Sequence, residues 1–229
     1  MKASELYKLI KESKYKKVGS DIDYTIAIGL EDDKTIYLLF EESSSWTDWR
    51  HNLAFTARWY KMYSNPKMKC HHGFANAYRS ANDIIMKELL EEVAKHPDYK
   101  VVIAGWSFGG AMTLLAAEDF NYRTRSDKND VNSGKKATIY TFGAPKVAAN
   151  EVTAAYIASC VTSFSKQFAH TQDIVTRMPP FWYFYHALPP TKVGPKLNPI
   201  KVFGLFNPWK YHTKYDEWLP KYNADVAVL

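Results

Sequence analysis

The sequence predicts an α/β fold whose central sheet is mostly parallel and carries helices on both faces. Apolar strand-like runs alternate with helix-like segments through the middle of the chain, as in folds whose parallel strands are joined by helices. A serine between two glycines, in Gly105-Trp-Ser107-Phe-Gly109, lies between a buried strand and a helix. The 229 residues, 46% hydrophobic and 24% charged, suit one sizeable domain, and we expect residues 1–229 to form a single domain.

The individual elements follow from hydrophobic periodicity. Apolar residues at steps of three and four predict helices, whereas short β-rich apolar runs predict strands. The predicted helices cover residues 4–14, 48–63, 74–95, 108–120 and 148–160, and a last one begins near Tyr211. The predicted strands cover residues 23–30, 35–40, 100–104, 137–142 and 162–169. Polar residues 121–136 and the Pro- and aromatic-rich residues 179–208 are predicted loops.

The charge of the chain limits its partners. The 30 Lys and Arg residues exceed the 24 Asp and Glu residues, which gives a net charge of +6. Such an excess either keeps a protein soluble or attracts it to an anionic surface such as lipid headgroups. The basic residues are scattered among acidic ones without a known reader motif, so we expect no nucleic-acid partner. No run approaches ~18 uninterrupted apolar residues, so we expect no transmembrane segment. For the oligomeric state we favour a monomer.

The two cysteines and the N-terminus suggest a location. Cys70 and Cys160 are far apart and have no histidine or cysteine partners at metal-binding spacing, which indicates buried free thiols and no zinc site. The first residues include no apolar segment typical of a secretory signal. We therefore expect a cytoplasmic protein, or one released without a signal peptide.

The segment around Ser107 carries the strongest chemical signal. A strand-to-helix turn that pushes a serine out of a sheet leaves room only for small residues two positions before and two positions after it. Gly105 and Gly109 meet that requirement, so Ser107 is predicted to be a nucleophile at an elbow. The alternative is a glycine-rich helix start without chemistry.

A serine hydroxyl becomes a nucleophile when a histidine takes its proton and an acid orients that histidine. In the elbow architecture the acid and the histidine follow the serine in that order. Asp173 directly follows a predicted strand and is our candidate acid, ahead of three other carboxylates, Asp127, Asp130 and Glu151. Two downstream histidines could be the base. We favour His212 at the head of the last helix over His186, which lies among aromatic residues.

The oxyanion that forms during such a reaction needs two preorganised donors. The backbone N–H of Phe108, at a helix N-terminus, is one candidate. The second is expected in the loop after an early strand, where residues 40–45 (FEESSS) lie, and a serine hydroxyl there could donate together with its own N–H.

The chain resembles the class 3 (fungal-type) lipases, which are α/β-hydrolases. The resemblance runs from about residue 24 to residue 219. Six segments carry it: 40–53 (FEESSSWTDWRHNL), 71–74 (HHGF), 105–110 (GWSFGG), 140–147 (YTFGAPKV), 173–180 (DIVTRMPP) and the pair His212 and Tyr215. The resemblance implies that Ser43 is the second oxyanion donor, that Asp173 and His212 complete a triad with Ser107, and that His186 is structural.

The chain departs from the family pattern at several positions close to these motifs. Trp106 and Phe108 replace the usual His and Leu, and add bulk around the elbow. Glu41 and Glu42 replace Arg and Gly before the oxyanion serine, and Thr176 stands where proline is usual. These changes keep the triad residues and alter their surroundings.

The resemblance also implies a lid in the short helix after the oxyanion loop, here residues 46–52. Trp46 and Trp49 share one face of that helix and would cover the site in water and insert at a lipid surface, unless both are core residues. Trp106, Phe181 and Trp182 are further candidates for the lid or an acyl pocket, and buried wall is the alternative for the last two.

These residues predict a serine hydrolase that cleaves esters of lipids or other acyl groups, of the lipase or carboxylesterase type, and takes part in lipid degradation. The expected partner is a lipid or acyl-ester substrate, with transient contact to a lipid interface. This chemistry implies no metal and no organic cofactor. The alternatives are a non-catalytic lipid-binding or interaction module on the same scaffold, and a phospholipase or acyltransferase that uses the same triad.

Overall fold

A computed structural model gives the fold of the protein. It describes residues 1–19, 22–29, 32–41, 59–61, 68–179, 184–196 and 210–222, and for residues 59–61 it describes the backbone only. No helix in these ranges combines the length and the apolar character needed to cross a membrane.

The strands of the described residues form one large sheet and one small one. They are β1 Lys16–Val18, β2 Ile22–Ile28, β3 Thr35–Phe40, β4 Trp59–Lys61, β5 Lys69–His71, β6 Lys100–Trp106, β7 Thr138–Phe142, β8 Lys166–His170 and β9 Pro190–Val193. The large sheet has the order β1-β2-β3-β6-β7-β8-β9, and β4 pairs with β5. The pairing is parallel from β3 through β9, whereas β1, β2 and β3 are antiparallel. The predicted mostly parallel α/β sheet is confirmed.

Helices cover both faces of this sheet, as predicted. They are α1 Ala3–Glu12, α2 His72–Arg79, α3 Asn82–Lys95, α4 Phe108–Thr124, α5 Glu151–Ser159 and α6 Tyr215–Trp218. Successive residues of β3 serve opposite faces: Leu38 packs in a core cluster with α2 to α5, and Leu39 in a second cluster with α1 and α6. All six β3 residues are buried, as in a strand covered on both sides.

The central helix is α4, which follows β6 after a single residue. Its first 14 residues, 108–121, are all buried. A helix that is buried all round lies inside a core instead of on its surface. The N-terminus of α4 is therefore held from every side, which fixes the junction with β6.

Several element boundaries differ from the sequence predictions. The single helix expected over 74–95 is two helices, because the chain turns at Ser80, whose hydroxyl donates to the Ala77 carbonyl at 2.8 Å. The prediction of a helix over 48–63 is wrong at its C-terminal end, since residues 59–61 form strand β4, which pairs with β5. The last helix begins at Tyr215. The edge strands β1 and β9 were not predicted because they are short and largely exposed or half-buried, and β9 begins with a proline.

The two sides of α3 give a test of the packing. Leu89 is fully buried in the core cluster, whereas Ile84 on the same helix is 49% exposed. Leu89→Ala is expected to lower the free energy of unfolding by about 2–5 kcal/mol because it removes buried methyl groups and leaves a cavity. Ile84→Ala, the matched control, should change it by about 0.5 kcal/mol or less. Urea unfolding monitored by tryptophan fluorescence measures both values, and equal losses would contradict the placement of α3.

Candidate active site

Ser107 occupies a sharp turn between β6 and α4. Its backbone has φ 58° and ψ −122°, a region that residues other than glycine seldom adopt and that costs about 1–3 kcal/mol. The Ser107 N–H donates to the Phe142 carbonyl on the neighbouring strand β7 at 2.8 Å. This strained turn, held by the adjacent strand, is the geometry expected of a nucleophile elbow.

The two flanking glycines are required by the packing of this turn. A Cβ atom at Gly105 would lie 2.3 Å from the Gly109 carbonyl oxygen, and one at Gly109 would lie 2.4 Å from the Phe40 carbonyl oxygen. Neither distance is compatible with a side chain. The glycines therefore let the turn close and let the end of β3 lie against the first turn of α4.

The structure brings His212 and Asp173 to Ser107. The Ser107 Oγ lies 2.6 Å from His212 Nε2, and His212 Nδ1 lies 2.8 Å from Asp173 Oδ2. All three residues are buried, with 3% or less of their surface exposed. Serine, imidazole and carboxylate thus form one continuous hydrogen-bond chain, in the order that the sequence predicts.

The Asp173 carboxylate is held by groups other than His212. Its Oδ1 accepts from the Val175 N–H at 2.9 Å, and its Oδ2 accepts from the Tyr215 hydroxyl at 2.8 Å. Burial, and next the charge of Asp173, raise the pKa of Tyr215 well above its ordinary value, so this hydroxyl stays a donor. The Tyr215 oxygen in turn accepts from the His170 N–H at 2.9 Å. Sequence reasoning assigned no task to Tyr215, although its spacing from His212 was a signal.

His186, the alternative base, makes a different contact. Its Nε2 lies 2.8 Å from the Thr176 carbonyl oxygen, to which the ring donates. Burial lowers the pKa of His186 to about 4, so the ring is neutral at physiological pH. A neutral imidazole that donates to a backbone carbonyl fits a structural residue.

The other predicted site residues are placed as follows. Phe108 is the first residue of α4, where the helix dipole favours negative charge near its N–H, and its ring packs 6.0 Å from the ring of Phe74. The Trp106 ring is buried and stacks on His212. Five candidates lie outside the described residues: Ser43, Trp46, Trp49, Phe181 and Trp182. The functions predicted for them stay predictions.

Within the described ranges no group of three or more His, Cys, Asp or Glu side chains could hold a metal ion. Cys70 and Cys160 are both free and buried, and burial raises the pKa of each thiol. Their thiols are therefore protonated and buried away from solvent.

Comparison with known proteins finds similar lipases. The class 3 lipase family matches residues 37–183. A lipase from Rhizomucor miehei is 31% identical over 186 residues, which are 81% of this chain and 48% of that protein. A secreted mono- and diacylglycerol lipase A from Penicillium cyclopium is 29% identical over 151 residues, 64% of this chain and 44% of that protein. The chain therefore spans less than half the length of these two relatives.

Solved structures agree with the sequence relatives. A Rhizomucor miehei lipase in complex with its propeptide superposes with a TM-score of 0.66 at 27% identity, over 80% of this chain and 56% of that one. A triacylglycerol lipase whose catalytic centre is formed by a serine protease triad superposes with a TM-score of 0.64 at 28% identity, over 79% of this chain and 65% of that one. The α/β-hydrolase fold of these lipases is therefore the fold of this chain.

The comparisons also correct one prediction. A cytoplasmic location, or release without a signal peptide, was expected from the first residues of the chain. That expectation is wrong, because the relatives include a secreted Penicillium enzyme and a Rhizomucor enzyme that has a propeptide. Those proteins are more than twice the length of the matching region, so the residues at the start of this sequence are no guide to location.

The family match, the related sequences and the superposed structures all lead to the same assignment. The match to the family covers more than half of the chain and includes both Ser107 and Asp173. The chain belongs to the class 3 lipase family.

Proposed function

We propose that the protein is a serine hydrolase that cleaves carboxylic esters of lipids through an acyl-enzyme on Ser107. The observation that carries the proposal is the buried chain from Ser107 Oγ to His212 Nε2, at 2.6 Å, and from His212 Nδ1 to Asp173 Oδ2, at 2.8 Å. The lipase names of the relatives, and the serine protease triad of one solved relative, support the same reaction class.

In the proposed reaction Ser107 Oγ attacks the ester carbonyl carbon while His212 Nε2 takes the hydroxyl proton. The C–O bond of the ester then breaks, and His212 returns that proton to the departing alcohol. Water, deprotonated by His212, attacks the acyl-enzyme and releases the acid, which restores Ser107. Asp173 keeps the Nδ1 proton of His212 in place and stabilises the imidazolium that forms in each half-reaction.

The tetrahedral intermediate carries its negative charge on the former carbonyl oxygen. We assign the N–H of Phe108, at the N-terminus of α4, as one donor to that oxygen. Ser43 is the second proposed donor. The close approach of the Phe40 carbonyl to Gly109 supports this assignment, because the chain leaves β3 beside the first turn of α4.

Access to Ser107 requires a movement. The Ser107 side chain is fully buried, so an ester cannot reach it until covering residues are displaced. We propose that residues 46–52 form that cover and that Trp46 and Trp49 contact the lipid interface when they move. A partly apolar lid that opens at an interface would favour aggregated esters over dissolved ones.

The geometry of His212 and Asp173 also depends on Gly143, which follows β7. Gly143 has φ +63°, and a Cβ atom there would lie 2.9 Å from His212 Cε1 and 3.0 Å from Asp173 Oδ2. Its N–H donates to the Phe168 carbonyl at 2.9 Å. Gly143 therefore leaves the space in which the imidazole and the carboxylate meet.

The first test removes members of the triad. Ser107→Ala and His212→Ala are expected to abolish cleavage of p-nitrophenyl esters, and Asp173→Asn to lower kcat about 10⁴-fold, as in other triads. His186→Ala is the matched control and should stay active, because the ring bonds only to a carbonyl in the described structure. Initial rates on a series of ester chain lengths, below and above the concentration at which the esters aggregate, measure these effects.

Labelling with an organofluorophosphonate separates an enzyme from a non-catalytic module, since only an activated serine reacts. The wild type should be labelled on Ser107. No labelling, together with wild-type-like turnover in Ser107→Ala, would contradict the proposal. Parallel assays on triacylglycerol, phospholipid and amide substrates distinguish the lipase from a phospholipase and from amide chemistry.

A second test changes Gly143. Gly143→Ala is expected to lower kcat about 100-fold, because a displacement of catalytic groups by about 1 Å has effects of that size. Gly19→Ala is the matched control. Gly19 also has a positive φ, of +65°, and a methyl group there would meet Ser80 instead of a triad residue. Both variants place a side chain at a positive φ, so both should lose stability, and a loss of kcat is predicted for Gly143→Ala alone. Equal kcat values would contradict the role of Gly143.

A further inference from the structure

The residue before the nucleophile makes contacts that the proposed reaction does not use. Trp106 is the last residue of β6 and is 3% exposed. Its ring belongs to the core cluster of α1 and α6, on the opposite side of the sheet from the cluster that contains Phe108. The two residues that flank Ser107 therefore lie on different faces of the sheet.

Trp106 contacts His212 in two independent ways. Its ring stacks on the imidazole, with the ring centroids 5.2 Å apart and an angle of 26° between the planes. Its indole Nε1–H donates to the His212 backbone carbonyl at 3.2 Å. The first contact fixes the plane of the imidazole and the second fixes the backbone that carries it.

These contacts matter because His212 lies outside the helices and strands of the described residues. It lies in the turn before α6, and α6 has only four residues. The nucleophile, by contrast, follows directly from a strand in the middle of the sheet. Trp106 and Ser107 are neighbours in the chain. The contacts of Trp106 with His212 therefore connect the base to the end of the same strand from which the nucleophile follows.

The N-terminal helix reaches the same ring. The Lys11 ammonium, in the last turn of α1, lies 3.8 Å from the centroid of the Trp106 ring, within the range of a cation–π contact. Tyr7 of α1 meets the ring edge-on, with centroids 6.3 Å apart. A cavity of about 530 Å³ opens beside the ring and is lined by Lys8, Lys11 and Thr213 among others. Lys11 therefore holds the indole at the border of an open space.

We infer that Trp106 is a positioning residue for His212, and that Lys11 of α1 keeps the Trp106 ring in place. The inference rests on the proposed function, because it concerns the base of that reaction. It gives α1 a part in catalysis through the Trp106 ring. The indole acts on the base before substrate binds, so its loss should lower kcat and leave KM nearly unchanged.

The test compares two buried aromatic residues of one core cluster. Trp106→Leu removes both contacts with His212, whereas Phe168→Leu, the matched control, removes a ring that stacks on Phe142. Trp106→Leu is expected to lower kcat about 30-fold, which combines the loss of one buried hydrogen bond and one ring stack. Trp106→Phe keeps a ring under the imidazole and should recover part of this loss, to about fivefold below wild type. Phe168→Leu should reduce thermal stability and keep kcat within about twofold of wild type.

A double-mutant cycle tests Lys11. Lys11→Met should lower kcat about twofold to fivefold in the wild-type background and have a smaller effect in the Trp106→Leu background, because the cation–π contact is absent there. Lys8→Met is the control, since Lys8 lies on the same helix and the same cavity and pairs with Glu12 at 3.7 Å. It should leave kcat unchanged in both backgrounds.

The outcomes separate this inference from the function on which it rests. An active wild type with equal kcat values in Trp106→Leu and Phe168→Leu overturns the inference alone. A loss in Trp106→Leu that falls on KM instead of kcat also overturns it, because it would place the indole against substrate. A wild type that neither cleaves esters nor reacts with the fluorophosphonate overturns the proposed function and the inference together.

Discussion

The hydrogen bond between Asp173 and His212 is the contact on which the rest of the site depends. A carboxylate buried without partners is strongly unfavourable, and Asp173 is fully buried. Its oxygens accept from the Val175 N–H and the Tyr215 hydroxyl as well as from His212. These bonds make the buried charge tolerable and at the same time orient the imidazole, whose other nitrogen faces Ser107 Oγ at 2.6 Å. Stability and reactivity of the site therefore have the same physical origin.

The sheet explains how distant residues meet. Ser107 follows β6, Gly143 follows β7 and Asp173 comes shortly after β8, and these three strands are parallel neighbours. Their carboxyl ends lie at one edge of the sheet, where α/β folds commonly bind ligands. His212 comes from the last part of the described chain and has no strand of its own to hold it. Its position depends on Asp173, on the indole of Trp106 and, through that indole, on α1.

The parts of the site that follow from local chemistry could be predicted from the sequence. The elbow at Ser107 could be predicted because only glycine fits at the positions two residues before and two residues after the serine. The carboxylate of Asp173 could be predicted because it directly follows a strand. From the sequence, His212 could be favoured as the base but His186 could not be excluded, since the choice depends on which ring the fold brings to Ser107. The contacts of Tyr215, the turn at Ser80 and the strand β9 could not be predicted. The contacts of Tyr215 and the pairing of β9 depend on Asp173 and β8, which lie elsewhere in the sequence, and the turn at Ser80 interrupts a hydrophobic periodicity that continues across it.

The most direct measurement of the central contact is the proton NMR signal of the His212 ring in protein labelled with ¹⁵N-histidine. A buried imidazole N–H bonded to a carboxylate gives a strongly downfield resonance that exchanges slowly with water. We expect one such resonance on His212 Nδ1, retained in Ser107→Ala and lost in Asp173→Ala. A spectrum without this resonance, or one in which it persists in Asp173→Ala, would contradict the account, because His212 would then be held by something other than Asp173.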